Sequence, residues 1–366
     1  MRILWDFDGT LFDTYPAYAD ILLEVLGSSV IREEIEAHLK ISFTHAARYY
    51  ALTDRQQQAI FEMEERLDPE RTKPFPHVEA LLEQAERNVI VTHKPRAQAI
   101  RILRHYNMER YFAEIVVAGD GGFPKKPDPA SYAYLHQKHR LDLAIGDREI
   151  DIAPAKALGM RTCLFRSQAP GADIYLADYG PSTAERLRAS VKTGEAGMRL
   201  IEAFARFGDF LQGLGACSDS LWNTPVTEGK WAVRDVVSHL LRWDQYFLEE
   251  AIDKIARGEK VTARHLNFDD FNREAVAYGR TMPQEELIRQ AVHYRRRIAE
   301  LIAALPEEEL YSEHEDGDGA VFTVWGYLNG FVPHDLQHRL QIERVIAARV
   351  DEAKALPDAK ANAEGA

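Results

Sequence analysis

The sequence predicts a doubly wound parallel α/β sheet with a helical insertion, followed by an all-α four-helix bundle. Three observations lead there. Short apolar stretches alternate with helical ones between Ile3 and Phe165, which implies right-handed crossovers and a parallel sheet. A purely helical pattern over residues 15–76 separates the first strand from the rest. Beyond residue 196 come four long amphipathic stretches with no strand alternation, the pattern of a bundle. At 366 residues the chain exceeds one ordinary core, so two domains are expected.

Apolar Ile3, Leu4 and Trp5 read as the first strand, and Gly9-Thr10 marks the chain leaving it. Asp6 and Asp8 therefore sit at the strand's carboxyl end, where open parallel sheets bind their ligands. Side chains two apart in a strand point the same way, so both carboxylates can address one small volume unless the strand ends between them. A strand running into an Asp-Gly turn is the plainer alternative. Helices over 15–26, 31–40, 43–52 and, from a Thr53-Asp54 cap, to 67 form the insertion, which closes at Asp68-Pro69 and Pro74-Phe75-Pro76. Then follow helix 77–85, strand 88–91, helix 96–106, strand 114–118, helix 129–139, strand 141–145, helix 152–158 and strand 162–165. The alternation is expected to end in the turn-rich stretch 170–182, with Lys192-Thr193-Gly194 as linker.

In the second half, helices are expected over 196–214, 232–257, 283–305 and 324–350, with room for a crossover or short helix near 268–277. Residues after Pro357 read as a frayed tail. The expected domains are 1–190, with a core of 1–14 and 77–190 and a cap of 15–76, then 191–355, then a flexible tail 356–366.

Composition is globular, 46% apolar and 28% charged, and the formal charge of −13 disfavours non-specific binding to nucleic acid or anionic membrane. Two cysteines, Cys163 and Cys217, cannot make a disulfide framework, which suits a reduced cytoplasmic setting. No uninterrupted apolar run suggests export or membrane insertion.

Three later strand ends carry polar groups suited to phosphate. Val89-Ile90-Val91-Thr92 ends in a hydroxyl, Lys125-Lys126-Pro127-Asp128-Pro129 holds an ammonium on a proline-stiffened loop, and Gly146-Asp147-Arg148-Glu149-Ile150-Asp151 makes an acidic loop. Carboxylate oxygens are what Mg²⁺ prefers, and it binds substrate phosphate as well. Taken singly, Thr92 also reads as a helix cap and Gly146-Asp147 as a loop. In the insertion, Ser42, His45 and Arg48 recur every three residues, and Arg48 could clasp a second anion; a solvated helix face is the alternative.

In this order and these strand contexts, DFDGTLFDT, Thr92, Lys126 and GDREID resemble the four motifs of the haloacid dehalogenase superfamily of phosphohydrolases, over roughly residues 1–170. The resemblance implies a Rossmann-like core whose helical insertion is a cap closing over a small phosphorylated metabolite. It implies that Asp6 is the nucleophile that forms an aspartyl-phosphate, that Asp8 is general acid and then base, and that Thr92 and Lys126 hold the phosphoryl group. It places Asp6, Asp8, Asp147 and Asp151 at an Mg²⁺ site. An acid at Asp8 points to phosphate monoesters; a phosphomutase would use the same residues. His93 departs from the Asn that phosphoglycolate-phosphatase-like members often carry.

The histidines of the second half lie apart from these motifs. His239 falls on or near the apolar face of its helix, and His334 and His338, four apart, project from one face of the last. A third imidazole from a facing helix would complete a His₃ site with an open position, although a single His in such a stripe is ordinarily a satisfied core residue. Lys230-Trp231-Ala232-Val233-Arg234-Asp235, His239 and Trp243, with His334-Asp-Leu-Gln-His338-Arg-Leu-Gln341-Ile342, resemble the DinB-like metal-binding bundles, including the DfsB-type branch. That resemblance implies a divalent transition metal such as Zn²⁺, Ni²⁺ or Fe²⁺ on His239, His334 and His338. Pro333 is expected to interrupt the last helix just before the pair. The sequence reading is thus a Mg²⁺-dependent phosphatase fused to a metal-binding bundle, compatible with a dimer through the bundle. Its alternative is a ligand-binding or scaffold protein with a vestigial phosphatase site.

Overall fold

β1 (Arg2–Trp5) is buried almost throughout, as an apolar strand must be when helices cover both faces of its sheet. The computed structural model describes residues 1–27, 30–120, 122–191 and 195–355; the expected linker 192–194 and tail 356–366 lie outside the described residues. Two compact units emerge, Met1–Ala196 and Gly197–Ala366.

In the first unit β1 leads to a small ribbon of β2 (Phe12–Asp13) with β3 (Lys73–Pro74), and the cap lies between those two strands. It comprises α1 (Tyr15–Leu26), α2 (Arg32–Ile41), α3 (Phe43–Tyr49) and α4 (Asp54–Arg66). The last starts at a capping box in which Thr53 Oγ1 accepts from the Gln56 N–H and Gln56 Oε1 accepts from the Thr53 N–H. The core then runs α5 (Val78–Gln84), β4 (Arg87–Thr92), α6 (Arg96–His105), β5 (Phe112–Val117), α7 (Ala130–His139), β6 (Leu143–Gly146), α8 (Glu149–Ala157) and β7 (Arg161–Phe165). The alternation does not stop there, contrary to expectation: β8 (Ile174–Leu176) and α9 (Thr183–Ser190) extend it. A three-residue strand flanked by turns has too little periodicity to detect. It is held by Asp173, whose Oδ2 accepts from the Thr162 N–H and hydroxyl at 2.9 Å each. The six strands are parallel in the order β5-β4-β1-β6-β7-β8, with Leu4 opposite Val89 on one side and Ala144 on the other. This is a Rossmann-like sheet, and its central strand is the one that delivers Asp6.

The second unit is almost entirely helical: α10 (Glu195–Gly213), short α11 (Asp219–Trp222), α12 (Val233–Phe247), α13 (Asp253–Ala256), α14 (Phe268–Arg280), α15 (Gln284–Ala304) and α16 (Val324–Ala355). The single helix expected over 232–257 is broken by a wider π turn at Leu248–Ile252. Leu248, Ala251, Ile252 and Ile255 stay buried through it. Strands were not expected here, yet β9 (His314–Glu315) and β10 (Val321–Phe322) pair antiparallel. Asp316 Oδ1 accepts from the Asp318 and Ala320 N–H groups, tying the turn between them. Pro333 does not interrupt α16, which runs through it. Proline removes one donor from the ladder, and the turns on either side keep the rest. No described helix is long and apolar enough to cross a membrane.

Candidate functional site

β1 ends at Trp5, and the Asp6 N–H donates to Ile145 O at 2.9 Å, so the chain leaves the sheet between the two aspartates. They consequently face different neighbours. Asp6 is buried: its Oδ1 lies 2.6 Å from Lys126 Nζ and its Oδ2 accepts from the Thr10 hydroxyl at 3.1 Å. Asp8 turns toward the cap, where Tyr18 OH donates to it at 3.2 Å and Lys94 Nζ lies 3.1 Å away. Lys94 also bonds the Tyr18 hydroxyl. Gly9, at φ +78°, occupies a place no side chain fits: a Cβ there would lie 2.4 Å from Tyr15 Cε2 and 2.6 Å from Asp147 Oδ2.

Lys126 comes from the loop between β5 and α7 and also donates to Asp151 Oδ1 at 2.7 Å, so one buried ammonium bridges two carboxylates. Its backbone N–H donates to His93 Nε2 at 2.9 Å, which requires that nitrogen to carry the lone pair. Burial, with Lys126 and Arg148 behind it, holds that imidazole down at about 4 and therefore neutral. Thr92, at the end of β4, accepts from the Lys94 N–H at 3.0 Å, a local turn bond rather than a helix cap, since α6 is capped at Pro95 without a side-chain bond. Asp147 and Asp151 flank the start of α8; Tyr15 OH donates to Asp147 Oδ2 at 2.8 Å, and the Arg148 N–H donates to Asp151 Oδ2 at 3.1 Å.

The carboxylates differ sharply in proton affinity. Burial, then the charge of Asp151, pushes Asp6 up to about 6 against the pull of Lys126. Burial, then Asp151 and Asp6, holds Asp147 well above the usual carboxylate range. Burial would raise Asp151 too, but Lys126 and Arg148 bring it below its ordinary value. Asp6, Asp147 and Asp151 each offer an oxygen within 4.8 Å of the others, and Asp147 Oδ1 is buried without a hydrogen-bond partner. An oxygen that accepts no hydrogen bond, with Arg148 Nε 3.8 Å away and two further carboxylates beside it, fits a hard divalent cation such as Mg²⁺. The Asp8 side chain is not one of this trio. A cavity of about 540 Å³ opens beside it, lined among others by Gly9, Tyr15, Lys40, Asp147, Arg148 and Arg166. Arg48 is exposed and absent from that lining, while Ser42 caps α3 by accepting from the His45 N–H at 2.9 Å.

In the bundle, α12 supplies His239 and α16 supplies His334 and His338. His334 Nε2 lies 3.1 Å from His239 Nε2 and 3.2 Å from His338 Nε2. Three nitrogens around a tetrahedral Zn²⁺ would stand about 3.3 Å apart, so the converging trio fits a transition metal. Burial and the neighbouring rings hold His239 down at about 3 and His338 at about 4, the neutral form a ligand needs. Beneath them Arg295, fully buried, donates through Nε to Asp244 Oδ2 at 2.8 Å and grips Asp335 with both terminal nitrogens. Its guanidinium stacks 4.0 Å from the Phe204 ring.

Sequence reasoning missed Thr10, Tyr15, Tyr18, Lys94, Asn272 and the Asp244–Arg295–Asp335 cluster. Tyr15 and Tyr18, three apart just after the first motif, had a detectable signal in that spacing. Charged residues inside apolar helix stripes were the signal for the cluster.

Residues 3–165 match the family model for haloacid dehalogenase-like hydrolases, and residues 200–336 match that for the mycothiol maleylpyruvate isomerase N-terminal domain. A phosphoglycolate phosphatase of Nitrosospira multiformis is 30% identical over 200 residues, covering 48% of this chain and 88% of that one. A plasmid-encoded phosphoglycolate phosphatase of Cupriavidus necator is 30% identical over 155 residues, 40% of this chain, which spans 60% of that relative's length. The phosphoglycolate phosphatase of Aliivibrio fischeri is 28% identical over 182 residues, 43% of this chain and 80% of its own. Through its α/β half the chain belongs to the haloacid dehalogenase-like hydrolase family, and its helical half is a domain of the mycothiol maleylpyruvate isomerase N-terminal type.

Proposed function

We propose that the α/β half is a Mg²⁺-dependent phosphatase acting on a small phosphate monoester, and that the bundle binds a divalent transition metal. The observation that carries the first reading is the division of labour between the two aspartates. Asp6, oriented by Lys126 and Thr10, presents a carboxylate oxygen to phosphorus. Attack expels the alkoxide and leaves an aspartyl-phosphate, dividing one difficult displacement into two. Asp8, separately oriented by Tyr18 and Lys94, gives its proton to the departing oxygen and then takes one from the water that cleaves the acyl-phosphate. Lys126 and Thr92 hold the phosphoryl oxygens, and Asp6, Asp147 and Asp151 would hold Mg²⁺, with Asp8 beside them. When bound, the ion offsets negative charge on the transferring group. The names of the relatives make 2-phosphoglycolate the first substrate to try.

The test is phosphate release from a panel of phosphorylated metabolites by the full-length chain with Mg²⁺, beside Asp6→Asn. The expected outcome is Mg²⁺-dependent turnover, lost by a factor on the order of 10⁴ in the variant while the far-UV circular dichroism is retained. Substantial residual turnover in Asp6→Asn would sink the nucleophile assignment. For the bundle, elemental analysis of the purified chain should show a transition metal that His338→Ala loses.

A further inference from the structure

The Trp243 indole nitrogen can only donate a hydrogen bond, and it lies 3.1 Å from Asn272 Oδ1, so that end of the amide is its oxygen. The same oxygen lies 2.8 Å from His239 Nδ1. Because an amide oxygen can only accept, Nδ1 carries the proton. In the neutral, ligating ring Nε2 is then left with its lone pair, and Nε2 is the atom that faces His334. The other two imidazoles are set less firmly. His338 Nδ1 lies 3.1 Å from Gln341 Oε1, but among the described residues no donor-only partner fixes that amide's orientation. His334 Nδ1 is 3.7 Å from Asp335 Oδ1, beyond hydrogen-bond reach.

We infer that Asn272, itself oriented by Trp243, is a positioning residue that locks the His239 tautomer so that Nε2 is free to bind a metal. The inference rests on the metal-binding reading of the bundle. It adds that the determinant comes from α14, outside the helices that supply the histidines. A ligating histidine whose outer nitrogen loses its acceptor can rotate or protonate at the wrong atom, which typically weakens metal binding 10- to 100-fold.

The test uses the full-length chain and Zn²⁺ alone, with affinity read by competition against a chromophoric chelator. Asn272→Leu should weaken Zn²⁺ binding by about 10- to 100-fold, and Asn272→Asp, which keeps an acceptor, should restore it. Trp243→Phe, which frees the amide to turn, should give a smaller loss. In metal-free protein, nitrogen-15 NMR of the histidines should show His239 protonated at Nδ1, and as a mixture of tautomers in Asn272→Leu. Affinity within threefold of wild type in Asn272→Leu, or His239 protonated at Nε2 in the metal-free wild type, would overturn the inference. A wild type that fails to bind Zn²⁺ would instead defeat the metal reading, and the NMR measurement would still decide the lock by itself.

Discussion

Each half of the chain buries one cation between two carboxylates, and the two arrangements do different work. Lys126 bridges Asp6 and Asp151 at 2.6 and 2.7 Å, and Arg295 bridges Asp244 and Asp335. In each trio burial lifts one carboxyl to about 6, Asp6 or Asp244, while the other is held below its ordinary value. What differs is what surrounds them. The lysine trio adjoins a third carboxylate, Asp147, which lines a cavity. The arginine trio is covered by Phe204 and Phe207, and each nitrogen of its guanidinium donates to one of the two aspartates. Lysine is a compact charge that can turn to a phosphoryl group, whereas the arginine fork is committed to its carboxylates. The two trios are equally buried, so what distinguishes them is the neighbouring Asp147 and the cavity it lines.

Arg295→Met should produce the largest loss of stability, because removing one partner of a buried ion pair strands the others. About 3–5 kcal/mol is expected in denaturant unfolding of the bundle. A loss below about 1 kcal/mol would mean that the cluster is solvated. Lys126→Met should lower turnover by about 10²- to 10³-fold. It should also destabilise the α/β half, and here the two trios part: added Mg²⁺ should raise the melting transition of the α/β half in Lys126→Met but leave that of the bundle in Arg295→Met unchanged. Equal responses would dissolve the distinction between a trio beside a cation site and one without.

The smallest effect concerns pH. Burial pushes Asp244 from 3.8 up to about 6, so the folded protein holds that proton more tightly than the unfolded chain. Its contribution to stability therefore falls as pH rises from about 4 to about 6. Asp335, held below its ordinary value, acts beneath that window. Relative to wild type, Asp244→Asn should be flatter across that interval, with the difference reaching about 2–3 kcal/mol. Parallel pH–stability curves for the two proteins would show that Asp244 is not the group responsible.

Much of the first half was legible because its signals are local. An apolar strand, a turn and a polar residue at the strand end are written within a few consecutive residues, and Asp6, Lys126 and Asp151 are brought together as soon as the strands take their places in the sheet. The bundle was legible as periodicity, and the His334/His338 spacing gave one face of its site. Illegible were the features that need two distant segments at once. β8 is a strand because β7 offers it an edge, and the π turn after Phe247 leaves no mark on the helix's apolar periodicity. Asp8 faces Lys94 and Tyr18 because β1 ends one residue before Asp6.

By itself, then, the sequence determined which residue types stand at strand ends and helix faces, since periodicity and turn chemistry are properties of neighbours along the chain. Tertiary structure alone decided that Asp147 keeps an oxygen without a hydrogen bond, that Arg295 is sealed, and that Asn272 turns its oxygen to His239. Those outcomes depend on hydrogen-bond partners and desolvation contributed by residues far apart in sequence, and neither can be read one stretch at a time.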